Sequence, residues 1–353
     1  MRERITALRK EMNENCIDAA LLYKNENRRY ISGFTGTSGY VVITQESAFF
    51  LTDFRYVEQA SEQCKGYEII EHSSDMPVFE ILNNLGIGRL GFEEDFVTYS
   101  QYSEFQQKLK DISLTPLNGA MNILRKYKDL NEIRDIEKAA TIADEAFGHI
   151  CEFIKPGMKE QEIALELENH MRKKGASGIA FDFIVASGLR SSLPHGVATD
   201  KTVEKGEFIT MDFGCVYNGY CSDMTRTIVI GKANDKQKEI YSIVLDAQMK
   251  ALEAIKPGIT GAEADKIARD IINDKGYGKY FGHGLGHGVG LEIHEAPRLS
   301  FTNNEILEKG MVVTDEPGIY LPEFGGVRIE DLVVVTEDGN RVLSKSPKQL
   351  IEL

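Results

Sequence analysis

The sequence predicts an α/β protein of two domains, whose larger C-terminal domain contains two related halves. Three observations support this prediction. The chain has 353 residues, which is more than one domain usually holds. Residues 1–120 alternate short helical and strand patterns. The tetrapeptide IKPG occurs twice, at 154–157 and at 255–258.

The N-terminal third predicts a small α/β domain. Apolar residues recur with helical spacing in MRERITALRKEM, and AALLY and YVVIT are apolar runs of strand length. FRYVEQASEQC again has a helical pattern. A polar, lysine-rich stretch at about 118–132 predicts the connection between the domains. We therefore expect domains at residues 1–125 and 126–353.

The two IKPG copies predict an internal duplication. Each copy follows one helix-like segment and precedes another, and that second segment ends in Lys-Gly, at 174–175 and at 275–276. A repeated Pro-Gly turn alone is weak evidence. Two landmarks with the same offset favour a duplicated unit, so that the motifs described next lie between two related halves.

The segment EFITMDFGCVYNGYCSDMTRTIVI predicts a β-hairpin with Asn218-Gly219 as its turn. This turn pairs the two flanking tyrosines and sets Gly214 opposite Asp223. Asp212 then lies on the same face, diagonal to Asp223 and roughly 7 Å away. Two carboxylates at that separation can hold one metal, and Gly214 would leave the space in front of Asp223 open.

The run GHGLGHGVG, residues 282–290, has glycine at every second position. In an extended conformation one face would be bare backbone, and His283 and His287 would project from the other. No ribose-binding acid of a βαβ unit and no Gly-Lys-Ser/Thr accompany it, which argues against a phosphate loop. HEAPR, beginning at His294, lacks the second histidine of a helical zinc-protease motif.

Five potential hard metal ligands occur in separate motifs. They are Asp212 in MDFG, Asp223 in CSDMTRT, His287 in GHGLGHGVG, Glu316 in TDEPG and Glu330 in GVRIED. Four carboxylates and one imidazole carry a charge that two divalent cations would neutralise. A core holding these acids without cations would be destabilised by desolvation and repulsion. The leading prediction is therefore a two-metal hydrolytic site.

With these motifs, the sequence resembles the pita-bread metallopeptidases, in the branch of Xaa-Pro aminopeptidases and Xaa-Pro dipeptidases (prolidases). The resemblance runs from YISGFTGTSG and TDFRY, through SGLRSSLPHG, MDFG and SDMTRT, to GHGVGLEIHE, EPGIY and GVRIED. It implies a creatinase-like N-terminal α/β domain and a C-terminal pita-bread domain with pseudo-twofold symmetry. It also implies proline-containing peptides as substrates and a homodimer.

The resemblance assigns roles to individual residues. It implies two divalent metal ions bound by Asp212, Asp223, His287, Glu316 and Glu330. His287 is the ligand because the family's metal histidine stands seven residues before the histidine of HE, and His283 matches an additional active-site histidine. Hard oxygen ligands with one imidazole favour manganese, with cobalt or iron as alternatives.

The same resemblance implies the catalytic residues. His195 and His294 match histidines that contact the substrate and the tetrahedral intermediate. Glu316 is the candidate for moving a proton from the attacking water to the leaving nitrogen.

Two arginines are candidate substrate-binding residues. Arg298 in HEAPR has a counterpart in some dipeptidases and could bind the C-terminal carboxylate of a substrate, or it could be a surface cation. Arg328 is two residues before Glu330 on the same strand face, so we expect it to orient that ligand.

Three functions remain open on the sequence alone. We expect an Xaa-Pro aminopeptidase, because no insertion would close the cleft beyond proline. The alternatives are a strict Xaa-Pro dipeptidase, which Arg298 would serve, and a non-catalytic binding module on the same fold.

Composition argues against several other classes of protein. A net charge of −14 disfavours nucleic acid and anionic membranes as partners. No apolar run approaches 18 residues, and the N-terminus has no signal-peptide core. The five cysteines lack metal-type spacing. We therefore expect a cytoplasmic protein with reduced thiols.

Overall fold

The computed structural model describes residues 2–353. The chain divides into two compact units, Met1–Arg125 and Lys126–Leu353.

The first unit is built on a six-stranded mixed sheet. Its elements are α1 (Arg2–Glu14), β1 (Ala19–Leu22), α2 (Asn25–Ser32), β2 (Tyr40–Thr44), β3 (Ala48–Thr52), α3 (Val57–Gln63), β4 (Glu68–Glu71), α4 (Val78–Asn83), β5 (Arg89–Phe92), α5 (Tyr99–Lys108), β6 (Ser113–Pro116) and α6 (Ala120–Lys126). The strand order is β4-β3-β2-β1-β5-β6. β2 is antiparallel to both neighbours, and the remaining pairs are parallel. β1 is buried at every position, as expected for a strand covered on both faces.

Four long helices form the outer layer of the second unit. They are α7 (Leu130–Phe153), α8 (Glu160–Lys173), α9 (Asp235–Ala254) and α10 (Gly261–Asp274). Their starts are fixed by side chains that satisfy free backbone N–H groups. Asp129 accepts from the backbone of Asn131 and Glu132 before α7, and Thr260 accepts from the backbone of Glu263 before α10.

The helices repeat as pairs, as the IKPG copies predicted. Both α8 and α10 have 14 residues and begin at corresponding positions, 160 and 261. Gly157 and Gly258 have φ of +91° and +95°. Their amides donate to carbonyl oxygens at equivalent places, Val203 at 2.8 Å and Leu307 at 2.9 Å. The two halves therefore share backbone geometry as well as sequence.

The strands of the second unit form several small sheets under these helices. They are β7 (Gly178–Ile179), β8 (Ile184–Ser187), β9 (Phe208–Phe213), β10 (Cys215–Tyr217), β11 (Tyr220–Cys221), β12 (Met224–Val229), β13 (Gly286–Gly288), β14 (Glu295–Leu299), β15 (Val312–Asp315), β16 (Gly318–Leu321), β17 (Gly325–Arg328), β18 (Asp331–Val335) and β19 (Asn340–Val342). The main sheets have the orders β12-β9-β8 and β14-β13-β15-β18-β19. One apolar core packs α7 and α8 on the first sheet, and another packs α9 and α10 on the second.

The predicted hairpin is confirmed in turn and register. Tyr217 pairs with Tyr220, and Asn218 and Gly219 have φ of +46° and +79°, as a type I′ turn requires. The reason for Gly214 differs from the expectation. A Cβ there would lie 1.8 Å from the carbonyl oxygen of Ser222, so glycine is required by the approach of two backbones.

Within residues 2–353, no helix is long and apolar enough to cross a lipid bilayer. All five cysteines, which lie in that range, are free thiols. Cys215 and Cys221 flank the hairpin turn, and their Sγ atoms are hydrogen-bonded to the carbonyl oxygens of Ala139 and Leu291.

We expect the Gly214→Ala variant to lose about 1–3 kcal/mol in free energy of unfolding, because the strands must separate to admit a methyl group. Gly178→Ala is the matched control, since Gly178 lies in a neighbouring strand with nothing within 4 Å of an added Cβ. Urea unfolding would measure both variants. Equal losses in the two variants would contradict this explanation.

Candidate metal centre

A cavity of about 900 Å³ lies in the second unit, and the predicted ligands line it. Asp212 comes from β9, Asp223 from the turn before β12, His287 from β13, Glu316 from the residue after β15 and Glu330 from the residue before β18. Both sheets, and therefore both halves of the unit, supply predicted ligands.

Three of these side chains converge closely. Asp223, His287 and Glu330 are buried, and each offers one ligand atom within 4.8 Å of the others. The His287 Nε2 atom is 3.6 Å from Asp223 Oδ2 and 3.4 Å from Glu316 Oε1. His287 Nδ1 is 3.1 Å from the carbonyl oxygen of Gly288, which makes Nδ1 the donor and leaves Nε2 free to bind a metal.

Glycines let the neighbouring backbones approach His287. A Cβ at Gly286 would lie 2.1 Å from the carbonyl oxygen of Thr314, and one at Gly288 would lie 2.3 Å from that of Ala296. The bare backbone face predicted for this run is therefore present. The strand is limited to 286–288, and a bulge between His287 and Gly288 interrupts the expected alternation there.

Burial and mutual repulsion raise the pKa of the central carboxyls. Burial raises the pKa of Asp223 most, followed by the charges of Glu330 and Asp212. Burial likewise raises the pKa of Glu330, with Glu316 next. Burial raises the pKa of Glu316 to about 7 and lowers that of His287 to about 3, so His287 is neutral. Divalent cations would offset this repulsion, and neutral imidazole with carboxylate is the form that binds them.

Hydroxyl groups orient two of the carboxylates. The Thr225 hydroxyl donates to Glu330 Oε2 at 2.6 Å, and the Thr314 hydroxyl donates to Glu316 Oε1 at 3.1 Å. The sequence analysis missed both threonines, although they stand inside the quoted motifs SDMTRT and TDEPG. No period or charge pattern distinguishes such a threonine from one that only favours a strand.

Arg328 contacts a different acid from the one expected. Its guanidinium donates to Asp212 Oδ2 at 2.6 Å and to the Thr225 hydroxyl at 2.9 Å, so it reaches Glu330 only through Thr225. Asp212 Oδ1 is buried and has no hydrogen-bond partner in the described part of the chain. A buried carboxylate oxygen with no donor is what a metal ligand requires, and the residues therefore fit a metal.

His283 joins the same network from the cavity wall. Its Nε2 is 2.8 Å from the Tyr320 hydroxyl oxygen, which accepts from Arg328 at 2.9 Å. Burial lowers the pKa of His283 to about 4, which keeps the ring neutral. Tyr320, in EPGIY, is a further residue that the sequence analysis did not single out.

The two remaining histidines are exposed where they line the cavity. The His294 ring is inclined at 67° to the His287 ring, with 4.4 Å between the ring centroids. His195 lies on the loop after β8. The buried carboxylate of Glu160 anchors this loop by accepting from the backbone amides of Ser187 and Thr199, at 2.7 and 3.1 Å.

Arg298 also lines the cavity. It pairs with His287 across β13 and β14, and its side chain is exposed. The guanidinium makes no hydrogen bond or ion pair within residues 2–353. A cation without a protein partner, next to the ligand cluster, is available to a substrate anion.

Residues 134–337 match the metallopeptidase family M24, and residues 4–127 match the creatinase/prolidase N-terminal domain. An Xaa-Pro dipeptidase from Bacillus anthracis is 54% identical, with a TM-score of 0.97 over 100% of this chain and 99% of that one. The prolidase from Pyrococcus horikoshii OT3 is 45% identical, with a TM-score of 0.94 over 99% and 100%. An X-Pro aminopeptidase from Thermotoga maritima MSB8 is 40% identical, with a TM-score of 0.92 over 98% and 100%. These similarities confirm the predicted family and fold class.

We expect manganese to raise the melting temperature more at about pH 8 than at about pH 5.5. Carboxyl groups with a raised pKa stabilise the fold below their ordinary pKa, and this contribution is lost as pH rises through their folded pKa, about 7 for Glu316. Metal-free protein is therefore weakened at high pH, where bound cations compensate most. Scanning calorimetry of chelator-treated and manganese-loaded protein at both pH values measures the difference.

The control for that experiment is Asp223→Asn, which we expect to show little stabilisation by manganese at either pH. Equal stabilisation of the wild-type protein at the two pH values would contradict the prediction.

Proposed function

The chain belongs to metallopeptidase family M24, and we propose that it is an Xaa-Pro dipeptidase, which hydrolyses the bond before proline in a dipeptide. The observation that carries this proposal is the unpartnered guanidinium of Arg298 beside His287. In a dipeptide, the free carboxylate is one residue from the scissile bond. A cation close to the ligand cluster can bind that carboxylate and orient the bond.

The activities named for similar proteins also support the proposal of a dipeptidase. The two more similar of the three structures described above are a dipeptidase and a prolidase. The second candidate is the Xaa-Pro aminopeptidase expected from the sequence, because a cavity of about 900 Å³ lies within the range that accepts ligands larger than a dipeptide. The non-catalytic alternative is not supported, since the family is one of hydrolases.

The residues proposed to hold two divalent cations are Asp212, Asp223, His287, Glu316 and Glu330. Their oxygen-rich set favours manganese, with cobalt or iron as alternatives. Bound cations would supply a nucleophilic water at neutral pH and polarise the scissile carbonyl.

The chain's own residues would then bind, orient and move protons. Glu316 is the proposed proton carrier, because its side chain is 16% exposed to the cavity whereas that of Asp223 is 6% exposed. Its carboxylate oxygen would accept a proton from the attacking water and donate it to the proline nitrogen. His195 and His294 would donate hydrogen bonds to the carbonyl oxygen as negative charge develops there.

We expect Arg298→Ala to raise KM for Xaa-Pro dipeptides about tenfold to a hundredfold, the effect of losing one charge-assisted hydrogen bond. Hydrolysis of the corresponding dipeptide amide, which lacks the carboxylate, should change little. Steady-state kinetics with both substrates makes the comparison. If wild-type enzyme prefers Xaa-Pro-Yaa tripeptides and Arg298→Ala affects all substrates equally, the aminopeptidase replaces the dipeptidase.

We expect His195→Ala and His294→Ala to lower kcat about a hundredfold or more while the protein keeps its metal, because these side chains would contact substrate and not the cations. His287→Ala should instead lose metal. Elemental analysis beside kinetics separates the two roles. Loss of a metal equivalent from either of the first two variants would show a misassigned ligand.

A further inference from the structure

A buried ion pair involves the residue that follows His294. The Lys128 ammonium is 3.1 Å from Glu295 Oε2, and the two side chains are only 1% and 7% exposed. Glu295 is the residue after His294, so the position of its carboxylate constrains the backbone that carries the histidine.

The Glu295 carboxylate also accepts a hydrogen bond from the loop that precedes His294. Its Oε1 atom accepts from the backbone amide of Glu292 at 3.0 Å, and the Glu292 carbonyl oxygen accepts from the amide of Gly290 at 3.0 Å. A Cβ at Gly290 would lie 2.5 Å from Glu295 Oε2. The loop from 290 to 295 is therefore folded around this one carboxylate.

Lys128 is itself held in place. Its backbone amide donates to the carbonyl oxygen of Gly310 at 2.9 Å, and the next residue, Asp129, caps α7. The ammonium thus projects from a fixed point of the second unit. A fixed cation that binds a buried carboxylate helps to define where that carboxylate lies, and removal of either charge from such a pair is costly.

We propose that the Lys128–Glu295 ion pair positions His294 against the substrate carbonyl. The inference rests on the role of His294 in the proposed function. The His294 ring is exposed, and its edge-on ring contact is with His287. Its direction therefore depends on the backbone of the loop, which the ion pair fixes. Lys128 and Glu295 are positioning residues, since they act through His294.

The test is Lys128→Met in manganese-loaded enzyme. We expect kcat for an Xaa-Pro dipeptide to fall about tenfold to a hundredfold, because a small misplacement of a catalytic group costs that much, while metal content is unchanged. Lys128→Arg should restore most of the rate. Glu295→Gln keeps an acceptor for the Glu292 amide and removes only the charge, so we expect it to reproduce Lys128→Met.

Lys126→Met is the matched control. Lys126 is two residues away and forms a less buried ion pair with Glu305, whose neighbours are not active-site residues. We expect this variant to keep kcat. A fall in kcat equal to that of Lys128→Met would overturn the proposal, because it would show a general effect of losing a lysine from this segment.

Two measurements separate positioning from a merely structural role. In the His294→Ala background, Lys128→Met should lower kcat little further, since the two changes act through one group; a full additional loss would overturn the proposal. Hydrogen exchange of the amides of Gly290 and Glu292 should become faster in Lys128→Met but not in Lys126→Met. This measurement does not depend on which substrate the enzyme hydrolyses. Unchanged exchange in Lys128→Met would overturn the positioning role. Faster exchange in Lys128→Met, combined with a wild-type enzyme that does not hydrolyse Xaa-Pro peptides, would overturn only the proposed function.

Discussion

The gathering of several carboxylates at one buried point is the constraint on which the rest of the second unit depends. A carboxylate oxygen of Asp223 and one of Glu330 lie within 4.8 Å of each other, and both residues are almost inaccessible to water. Burial and repulsion disfavour their charged forms. Neighbouring donor groups reduce that penalty in part, and bound cations would reduce it further. The arginine Arg328 neutralises Asp212, and threonine hydroxyls donate to Glu330 and Glu316.

Such a cluster requires strands that lie closer together than side chains normally allow. Gly214, Gly286 and Gly288 each face a backbone carbonyl that would be within 2.3 Å of a Cβ. Substitution at any of them would force the two facing backbones apart. The glycines therefore set the distance between the ligands, while the carboxylates and the imidazole supply the chemistry. A glycine in a strand often marks such a close approach of another backbone.

Local patterns were sufficient to predict the hairpin register from Asn218-Gly219 and the duplicated helix pairs from IKPG, whereas the choice of His287 over His283 came from the family resemblance. The hairpin and the helix pairs depend on residues close in sequence. Contacts between distant residues were not predictable. Tyr320 meets His283 across 37 positions, and Lys128 meets Glu295 across 167. Neither pair has a periodic or compositional signal. The reason for Gly214 was also missed, since a facing backbone leaves no trace in side-chain patterns.

The duplication explains why the two histidine loops need different anchors. Glu160 and Gly261 are equivalent positions, and their backbone amides make equivalent bonds, to Lys201 and Glu305, both at 3.0 Å. In the first half, the Glu160 side chain binds the loop of His195. In the second half, a Cβ at Gly261 would lie 2.3 Å from the carbonyl oxygen of Arg298, so no side chain fits there. The strand that brings Arg298 to the cavity thus excludes a side chain at the position equivalent to Glu160. The loop of His294 must be fixed from elsewhere, and the carboxylate of Glu295 with its lysine occupies that role.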